Sequence, residues 1–356
     1  MNAREEPLGN QESAAKSLAT RHRIATFPET MPDDASLQFE SAHFLQSLFA
    51  HDFSLLKKLE AELQVRVTTR DNWIKFDGEE RGIHGAIELF EELEKARRDG
   101  AEISAHTFRV ALDMHGDDVA KPGLKELLDY RLLGSKTRPA VTPKSVGQLE
   151  YLRAMDQNDV VFGIGPAGTG KTYLAMAKAI ASLKAKEVKR IILTRPAVEA
   201  GEALGFLPGD LEEKILPYLR PLYDALYDML EPDEVQRMIE KGMIEIAPLA
   251  YMRGRTLNHA AIVLDEAQNT TCEQMFMFLT RLGTESRCAI TGDPSQVDLK
   301  HHVRSGLWEA LEVLQGIERI GFVRFAKGDV VRHPVVQSII SAYDNYREQP
   351  AERDSK

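Results

Sequence analysis

The chain has two cysteines among its 356 residues, and it has neither a long apolar run nor an excess of positive charge. Cys272 and Cys288 stand without metal-ligand spacing, which favours reduced and largely buried thiols. No apolar run is long enough to cross a bilayer, and Glu5 and Glu6 fit a transit peptide poorly. These absences predict a soluble, cytoplasmic protein that makes no membrane contact.

The formal net charge is −10, which argues against a protein that coats nucleic acid by bulk charge alone. A local basic patch is compatible with this charge. Hydrophobic residues make up 43% of the chain, so a packed core can form, and the length fits two domains.

Composition and periodicity divide the chain into five parts. Residues 1–34 and 348–356 lack periodicity and are typical of disordered tails. Residues 35–133 predict a small α+β module with a helical extension, and residues 134–147, with two prolines, predict a linker. Residues 148–347 form the predicted second domain.

The module at 35–133 alternates helical and strand patterns. Leucines recur at helical spacing over 54–63, and a second amphipathic helix is predicted over 83–98. The stretches 64–69 and 73–76 have strand patterns and flank an Asp-Asn turn, which predicts a hairpin. Two helices around a small sheet are therefore expected here.

Six apolar runs, with no tight hairpin turns between them, alternate with longer segments in the second domain. They are 159–164, 190–194, 244–248, 260–265, 287–292 and 321–325. The runs show little alternation of apolar and polar residues, which is typical of a parallel sheet buried on both faces. The second domain is therefore expected to have an α/β fold.

A glycine-rich segment follows the first of these runs and fits the GxxxxGK[ST] pattern at every position. It consists of Gly165, Pro166, Ala167, Gly168, Thr169, Gly170, Lys171 and Thr172. Its glycines let backbone N–H groups curl around phosphate oxygens, and the following helix directs its N-terminal dipole at the same charge. We expect Lys171 to reach the β and γ phosphates of a nucleotide and Thr172 to place its hydroxyl on Mg²⁺. The alternative, a turn that matches by chance, is disfavoured by the strand before it and the helix after it.

An acidic pair ends the apolar run at 261–264. Asp265 follows the predicted strand at its carboxyl end, where open α/β sheets bind ligands, and is a candidate to coordinate Mg²⁺ through water. Glu266 comes next, and we expect it to orient or deprotonate a water near the γ-phosphate. Two solvated acids at a strand end are the alternative. Consecutive acids after an apolar strand suit the hydrolysis of ATP.

Two glutamines complete the candidate site. Gln296 stands just past the run at 287–292, where we expect it to contact the γ-phosphate or the attacking water. Asp293 and Pro294 shape the turn before it, and an ordinary Asp-Pro turn is the alternative. Gln148, upstream of the glycine-rich segment, has an amide that matches the donor and acceptor of the adenine edge. By itself, Gln148 is equally typical of a surface residue.

The motifs weigh against two other classes of nucleotide-using protein. The chain has no Asn-Lys-x-Asp motif, by which GTPases recognise guanine. No segment has a recognisable pattern for the arginine-bearing lid of a small-molecule kinase. This weakens the case for a kinase but does not exclude it.

With these motifs the chain resembles the PhoH-like family of bacterial ATPases, in particular its YbeZ type. The resemblance is carried by FGIGPAGTGKTYLA, LTRPAVEAGEALGFLPGDLEEKILPYLRPLYDAL, APLAYMRGRTL, VLDEAQNTT, QMFMFLTRLG, TGDPSQVDL and DVVRHPVV. It covers about 140–347. Such proteins are similar to the ATP-binding half of superfamily-one helicases, which implies a P-loop NTPase with a RecA-like parallel sheet flanked by helices.

The resemblance also implies roles and partners. It implies Gln148 at the adenine, Asp265 and Glu266 as the Walker B pair, and Gln296 as the sensor of the γ-phosphate. It further implies ATP and Mg²⁺ as ligands, a role in RNA or ribonucleoprotein handling, and association with the endoribonuclease YbeY and the ribosome. A rival from another class is an ATP-gated adaptor, whose nucleotide state switches its affinity for a protein partner and whose turnover is incidental.

The first module is similar to the KH-like domain of this family, which implies contact with RNA. It departs from RNA-clamping KH domains, because residues 50–53 (AHDF) stand where a GXXG loop is expected. Residues 36–100 contain nine basic and thirteen acidic residues, a net charge of −4. A candidate basic patch consists of Lys57, Lys58, Arg66 and Arg70. A structural or protein-binding role stands beside the RNA-binding one.

A single ATPase core has consequences for assembly. A monomeric helicase closes two such cores around one ATP, so we expect this chain to borrow an arginine from a neighbour or to hydrolyse slowly. An arginine supplied in trans raises rates by about 10³–10⁵-fold. Arg332, Arg253 and Arg255 are the candidates, with a structural ion pair as the alternative for each, and the expected assembly is a ring, a hexamer. Apolar residues of 206–241 either fill the core or line a subunit interface.

Overall fold

The computed structural model describes residues 34–115, 123–134, 138–196, 211–300 and 302–331, together with scattered positions between 335 and 346. The predicted tails at 1–34 and 348–356 lie outside the described residues, apart from Asp34, and so does Arg332. Within the described ranges, no helix is both long enough and apolar enough to cross a membrane.

A three-stranded antiparallel sheet with helices forms the N-terminal part of the described chain. Its elements are β1 (Asp34–Gln38), α1 (Ala42–Leu48), α2 (Phe53–Leu63), β2 (Val65–Arg70), β3 (Trp73–Gly78), α3 (Glu80–Arg98), α4 (Ala105–His115) and α5 (Leu124–Asp129). The strand order is β1-β3-β2, and β2 and β3 form the hairpin expected around the Asp-Asn turn. β1 pairs with β3 from a segment in which the sequence pattern indicated no strand.

Helix α2 shows why this part of the chain folds as it does. Asp52 caps the helix by accepting a hydrogen bond from Ser54 N at 2.9 Å. The leucines at helical spacing on α2 are all buried, and the helix packs on β2. From β3, Ile74 and Phe76 are fully buried in the same core. Each large apolar side chain buried in this way contributes about 1.5–3 kcal/mol.

A six-stranded sheet flanked by helices forms the second domain. Its elements are α6 (Val146–Gln157), β4 (Val160–Ile164), α7 (Lys171–Lys184), β5 (Arg190–Arg195), α8 (Leu211–Met229), α9 (Pro232–Glu240), β6 (Ile244–Pro248), β7 (Ala260–Leu264), α10 (Cys272–Leu279), β8 (Arg287–Gly292), α11 (Gly306–Val313) and β9 (Ile320–Arg324). The strand order is β6-β5-β7-β8-β4-β9, and every pair of neighbours is parallel. The α/β fold and its six predicted strands are confirmed.

Apolar layers on both faces of this sheet explain why its strands lack alternation. Every residue of β4 and of β7 is buried. One layer joins the sheet to α6, α7 and α8, and the other joins it to α10 and α11. Leu222, Leu226 and Leu230 lie in the first layer, so these residues of the 206–241 stretch fill the core.

Helix α6 contributes to the cores of both domains. Leu149, which is fully buried, packs in the core of the first domain. Tyr151, Leu152 and Met155, on the same helix, pack in the layer against the parallel sheet. The two cores therefore meet at this helix.

Hydrogen bonds also join the two domains. His106 Nε2, on α4, lies 2.7 Å from the carbonyl oxygen of Lys144. The Tyr130 hydroxyl donates to the Asp156 carboxylate at 2.8 Å. Burial, reinforced by this hydrogen bond, raises the pKa of Tyr130 well above its ordinary value, so the hydroxyl remains a donor throughout the neutral range.

Candidate functional site

The carboxyl ends of β4, β7 and β8 lie at one edge of the parallel sheet and open into a cleft. These three strands are neighbours in the order β7-β8-β4, so the segments that follow them converge. The cleft holds a cavity of about 300 Å³, at the lower end of the range typical of small-molecule sites. Its walls come from the glycine-rich segment 165–172, the acidic pair Asp265 and Glu266, and the turn at 292–296.

All three glycines of the glycine-rich segment, including Gly168 at φ 86°, adopt backbone conformations that other residues avoid. Gly165 has φ 151° and Gly170 has φ 78°. A Cβ atom on Gly165 would lie 2.7 Å from the carbonyl oxygen of Phe325, so no side chain fits there. Gly170 immediately precedes α7, whose first N–H groups lack intrahelical acceptors and suit an anion.

Lys171 is 8% exposed and lies against the segment to which it belongs. Its Nζ donates to the carbonyl oxygens of Gly165 at 2.7 Å and Pro166 at 2.8 Å. The hydroxyl of Thr169 lies 3.3 Å from the same nitrogen. A buried ammonium needs such acceptors, so a phosphate that enters the loop must compete with the loop's own carbonyl groups for this lysine.

Asp265 connects the glycine-rich segment to two strands of the sheet. Its Oδ1 accepts hydrogen bonds from Thr172 Oγ1 at 2.6 Å and Thr291 Oγ1 at 2.9 Å. Within the described ranges, no cluster of three His, Cys, Asp or Glu side chains could hold a metal ion. Mg²⁺ is usually held by one or two carboxylates together with phosphate oxygens and water. Thr172 and Asp265 fit such a site, and their role as metal ligands stays a prediction.

Asp293 lines the cleft and has one oxygen without a partner. Its Oδ1 accepts from Ser295 N at 3.0 Å and from Ser295 Oγ at 2.6 Å, which shapes the turn as expected. Its Oδ2 is buried and has no hydrogen-bond partner among the described residues. Since an unpaired buried carboxylate oxygen is costly, this atom fits a cleft that receives a cation and its water.

Glu266 has both carboxylate oxygens engaged. Oε1 lies 3.3 Å from Nη2 of Arg195, at the end of β5, and Oε2 accepts a hydrogen bond from Gln268. The Glu266 backbone is left-handed, with φ 52°, which is strained for a residue other than glycine. Each oxygen of an ionised carboxylate has a second lone pair, and the Glu266 side chain is 35% exposed, so a water can also donate a hydrogen bond to it.

Three residues of this neighbourhood were not predicted as site residues. Arg195 and Thr291 lie near the ends of β5 and β8, the strands on either side of β7. Gln268 donates to Glu266 and accepts from Asp293 N at 3.1 Å, so it connects the acidic pair to the turn at 292–296. Polar side chains near strand ends could have indicated Arg195 and Thr291 as site residues. Their closeness to the acidic pair, however, depends on the order of the strands in the sheet.

The two predicted glutamines have different surroundings. Gln296 lines the cleft, and its backbone N–H donates to the carbonyl of Asp293 at 3.0 Å. Gln148 is buried beside the glycine-rich segment. Its Oε1 accepts from Lys144 N at 2.7 Å and its Nε2 donates to the carbonyl of Thr169 at 3.0 Å. The γ-phosphate and adenine roles of these glutamines stay predictions.

The three candidate arginines also differ. Arg255 forms a two-point ion pair with Glu245, at 2.5 and 2.7 Å. The hydrogen bond from Arg255 holds the pKa of Glu245 below its ordinary value, although burial opposes the shift. Arg253 is exposed and forms no ion pair within the described ranges. Arg332 lies outside the described residues, so its role stays a prediction.

The turn from α1 to α2 includes residues 50–52, and Phe53 begins α2, in the place where a GXXG loop was expected. Ala50 and His51 have φ 53° and 58°, so the turn adopts left-handed conformations without glycine. Side chains at these positions occupy space that glycines would leave open to a nucleic-acid backbone.

The candidate basic patch is divided between a helix and a strand. Lys57 and Lys58 lie on α2, and Lys58 pairs with Glu62 at 3.3 Å. Arg66 and Arg70 are exposed on β2, and Arg70 lies opposite Trp73 on β3. Arginines beside an aromatic side chain on an open sheet suit single-stranded nucleic acid, whose bases stack.

The fold and the cleft define a P-loop domain of the ATPase-like type, with a parallel sheet, a GxxxxGK[ST] segment after β4 and an acidic pair after β7. The chain belongs to the family of PhoH-like proteins, since a sequence model of that family matches residues 140–344, more than half of the chain. This match confirms the resemblance seen in the sequence motifs.

Individual relatives extend the likeness into the first domain. The PhoH-like protein of Bacillus subtilis (strain 168) is 51% identical over 298 residues, which cover 84% of this chain and 93% of that protein. The PhoH-like protein of Mycobacterium leprae (strain TN) is 51% identical over 294 residues, which cover 82% of this chain and 83% of that protein. The Sulfolobus solfataricus SWI2/SNF2 ATPase core in complex with dsDNA covers 47% of this chain and 34% of that chain, at 18% identity and a TM-score of 0.28. A structural likeness this weak carries no argument about function.

Proposed function

We propose that this PhoH-like protein is an Mg²⁺-dependent ATPase that couples hydrolysis to the handling of RNA or ribonucleoprotein. The placement of the acidic pair against the glycine-rich segment carries the hydrolytic part. Thr172 donates to Asp265 at 2.6 Å, and Glu266 lines the same cleft as the loop. A site that only bound nucleotide would not need a second carboxylate beside the first.

The predicted site residues then have the following roles. Lys171 and the N–H groups of the loop bind phosphate oxygens, and Gln296 senses the γ-phosphate. Thr172 and Asp265 hold Mg²⁺, which neutralises charge on those oxygens. Glu266 orients the attacking water or accepts its proton through a lone pair that its contacts with Arg195 and Gln268 leave open.

Family membership and the outer face of the first-domain sheet support the RNA part of the function. Arg66, Arg70 and Trp73 offer charge for a phosphate backbone and a ring for a base. The resemblance alone suggests the endoribonuclease YbeY and the ribosome as partners. The described residues contain one ATPase core, and this supports a ring, a hexamer, in which Arg253 or Arg332 reaches the site of the neighbour. A cytoplasmic location is proposed with these partners.

The alternative is an ATP-gated adaptor whose turnover is incidental. One observation favours it: the net charge of −4 over residues 36–100, which opposes RNA binding. In an adaptor, the nucleotide would chiefly change the affinity for a protein.

Steady-state ATP hydrolysis with and without single-stranded RNA distinguishes these functions, with Glu266→Gln as the blank. A rate raised well above that of the protein alone supports the RNA-coupled ATPase. A slow rate that is indifferent to RNA supports the adaptor. Absence of Mg²⁺-dependent hydrolysis above the blank contradicts the ATPase itself.

The assembly is tested by the dependence of the rate on protein concentration. If an arginine acts in trans, the specific activity rises as rings form and falls on dilution. Activity that is independent of concentration in a strictly monomeric preparation overturns the trans arginine.

A further inference from the structure

A groove between the two domains is not used by any of the roles above. It holds a cavity of about 370 Å³ between α4 and α5 of the first domain, residues 142–144 before α6, and Val331 after β9. Its lining is mostly apolar and includes Val110, Leu127 and Pro143. His106 and Thr142 add polar groups. A mostly apolar pocket with a few polar groups is the usual form of a site for a planar organic molecule.

Two hydrogen-bonded links join this groove to the glycine-rich segment. Lys144, which lines the groove, donates its backbone N–H to Gln148, and Gln148 donates to the carbonyl of Thr169. Val331, which also lines the groove, donates its N–H to the carbonyl of Gly168 at 3.0 Å. The groove therefore lies directly beside the loop that is expected to hold the phosphates.

The orientation of a bound nucleotide follows from the strand order. Asp265 and Gln296 follow β7 and β8, which lie on one side of β4. The neighbour of β4 on the other side is β9, and Val331 follows β9 in the chain. If the γ-phosphate faces the acidic pair, the nucleoside end of the molecule points to the side of β9, where the groove lies.

We propose that this groove receives the base and ribose of the nucleotide whose phosphates bind the glycine-rich segment, so that α4 of the first domain forms one wall of the nucleoside site. This assignment rests on the proposed nucleotide-binding function and deepens it. The apolar lining accepts a heterocyclic ring, and the polar groups at His106, Thr142 and Lys144 suit its edge and the ribose hydroxyls. Gln148 then connects the nucleoside groove to the phosphate loop with both ends of its amide.

One consequence distinguishes this site from an ordinary nucleotide pocket. Because α4 and the glycine-rich segment belong to different domains, a nucleotide in both places bridges the domains. A ligand that has phosphates but no nucleoside fills only the phosphate half and leaves α4 untouched. The occupied state of the ATPase domain is thus transmitted to the first domain.

Inorganic tripolyphosphate and a non-hydrolysable ATP analogue separate the two halves in binding titrations of the full chain with Mg²⁺. We expect the wild type to bind the analogue more tightly than tripolyphosphate. Val331→Trp fills the groove and is expected to weaken the analogue by about tenfold or more, the scale of losing a pocket for part of a ligand, with tripolyphosphate affinity unchanged. Val313→Trp, at an exposed valine on α11, is the matched control.

Hydrogen exchange of the wild-type chain gives an independent reading. Residues 105–115 should become protected with the analogue and remain unprotected with tripolyphosphate. Equal affinity of the wild type for the two ligands overturns the groove site, and so does an unchanged analogue affinity in Val331→Trp. If Val331→Trp weakens the binding of both ligands equally, the hydrogen exchange of the wild-type chain decides. Protection of residues 105–115 by both ligands, or by neither, overturns the site. Failure of the wild type to bind either ligand contradicts the proposed nucleotide function instead.

Discussion

The two domains differ in what they bury. In the described ranges fifteen polar or charged side chains are buried, and Ser47 is the only one of them in the first domain. Lys171, Asp265 and Asp293, at the edge of the parallel sheet, belong to the second. A polar group in an apolar interior costs free energy unless it has a partner or a ligand. The second domain thus keeps its candidate site inside, whereas the first domain has a nearly pure apolar core and offers only its surface.

The largest effect should follow from Glu266→Gln, which keeps the shape of the side chain and removes the charge. We expect hydrolysis to fall by about 10²–10⁴-fold, because the water loses its base, with nucleotide affinity retained. Turnover and equilibrium binding measured on the same preparation check this. Glu150→Gln, at an exposed position on α6, is the control and should leave turnover unchanged. If the Glu266→Gln variant retained its turnover, another residue would have to be the general base.

In the first domain the largest effect should be on stability. Phe90 is fully buried and packs against Phe39, Phe76 and Phe108. Phe90→Ala should lower the free energy of unfolding by about 3–5 kcal/mol, with the kcat of the folded fraction unchanged. Denaturant unfolding and active-fraction kinetics measure both quantities. Phe276→Ala, at a phenylalanine that is 70% exposed, is the matched control and should be nearly neutral.

The ion pair of Arg255 and Glu245 should have a smaller effect. Arg255→Met should destabilise the fold by about 1 kcal/mol at neutral pH, because the pair is half-buried and partly screened. Arg304→Met removes an exposed pair with Glu312 and serves as the control. Unchanged stability in Arg255→Met together with a collapse of hydrolysis would instead identify Arg255 as the trans arginine.

The same pair should give a pH dependence of known sign. Arg255 lowers the pKa of Glu245 below its ordinary value of 4.5. A group with a depressed pKa stabilises the fold above its ordinary pKa and loses that contribution as the pH falls through its folded value. The difference in unfolding free energy between wild type and Arg255→Met should therefore be largest near neutrality and disappear in acid. A difference that persists in acid would show that packing, and not charge, accounts for it.

The smallest effect concerns the surface of the first domain. If Arg66 and Arg70 contact phosphates of single-stranded RNA, replacing both with glutamine should lower the salt dependence of binding by about 0.7 per lost contact in the log–log slope. Lys186→Gln, on an exposed turn of the second domain, is the control. An unchanged slope in the double variant would leave the first domain without an RNA contact at this face and favour a protein partner.

The sequence predicted the features that depend on neighbouring residues. The six buried strands and the glycine-rich segment were recognisable because apolar runs, glycines and the lysine lie close together in the chain. β1 was missed because its five residues carry no long pattern, and it is defined by pairing with β3.

Features that depend on strand order could not be predicted in this way. Arg195 meets Glu266 only because β5 lies next to β7 in the sheet. The engaged amide of Gln148 was equally hidden, since its partners Lys144 and Thr169 lie on opposite sides of it in the chain. Local sequence thus indicated which reactive groups are present, and the sheet topology determined which side chains contact one another in the site.

The position of Leu149 has a consequence for how this protein can be divided. The family match begins at residue 140, so a chain cut there keeps the whole of α6. Such a fragment exposes Leu149, which the intact protein packs into the core of the first domain. The ATPase domain is therefore not independent of the first domain, because the residues that precede α6 must cover an apolar face of this helix. If this domain is fused to a different N-terminal domain, that domain must have an apolar pocket that buries Leu149.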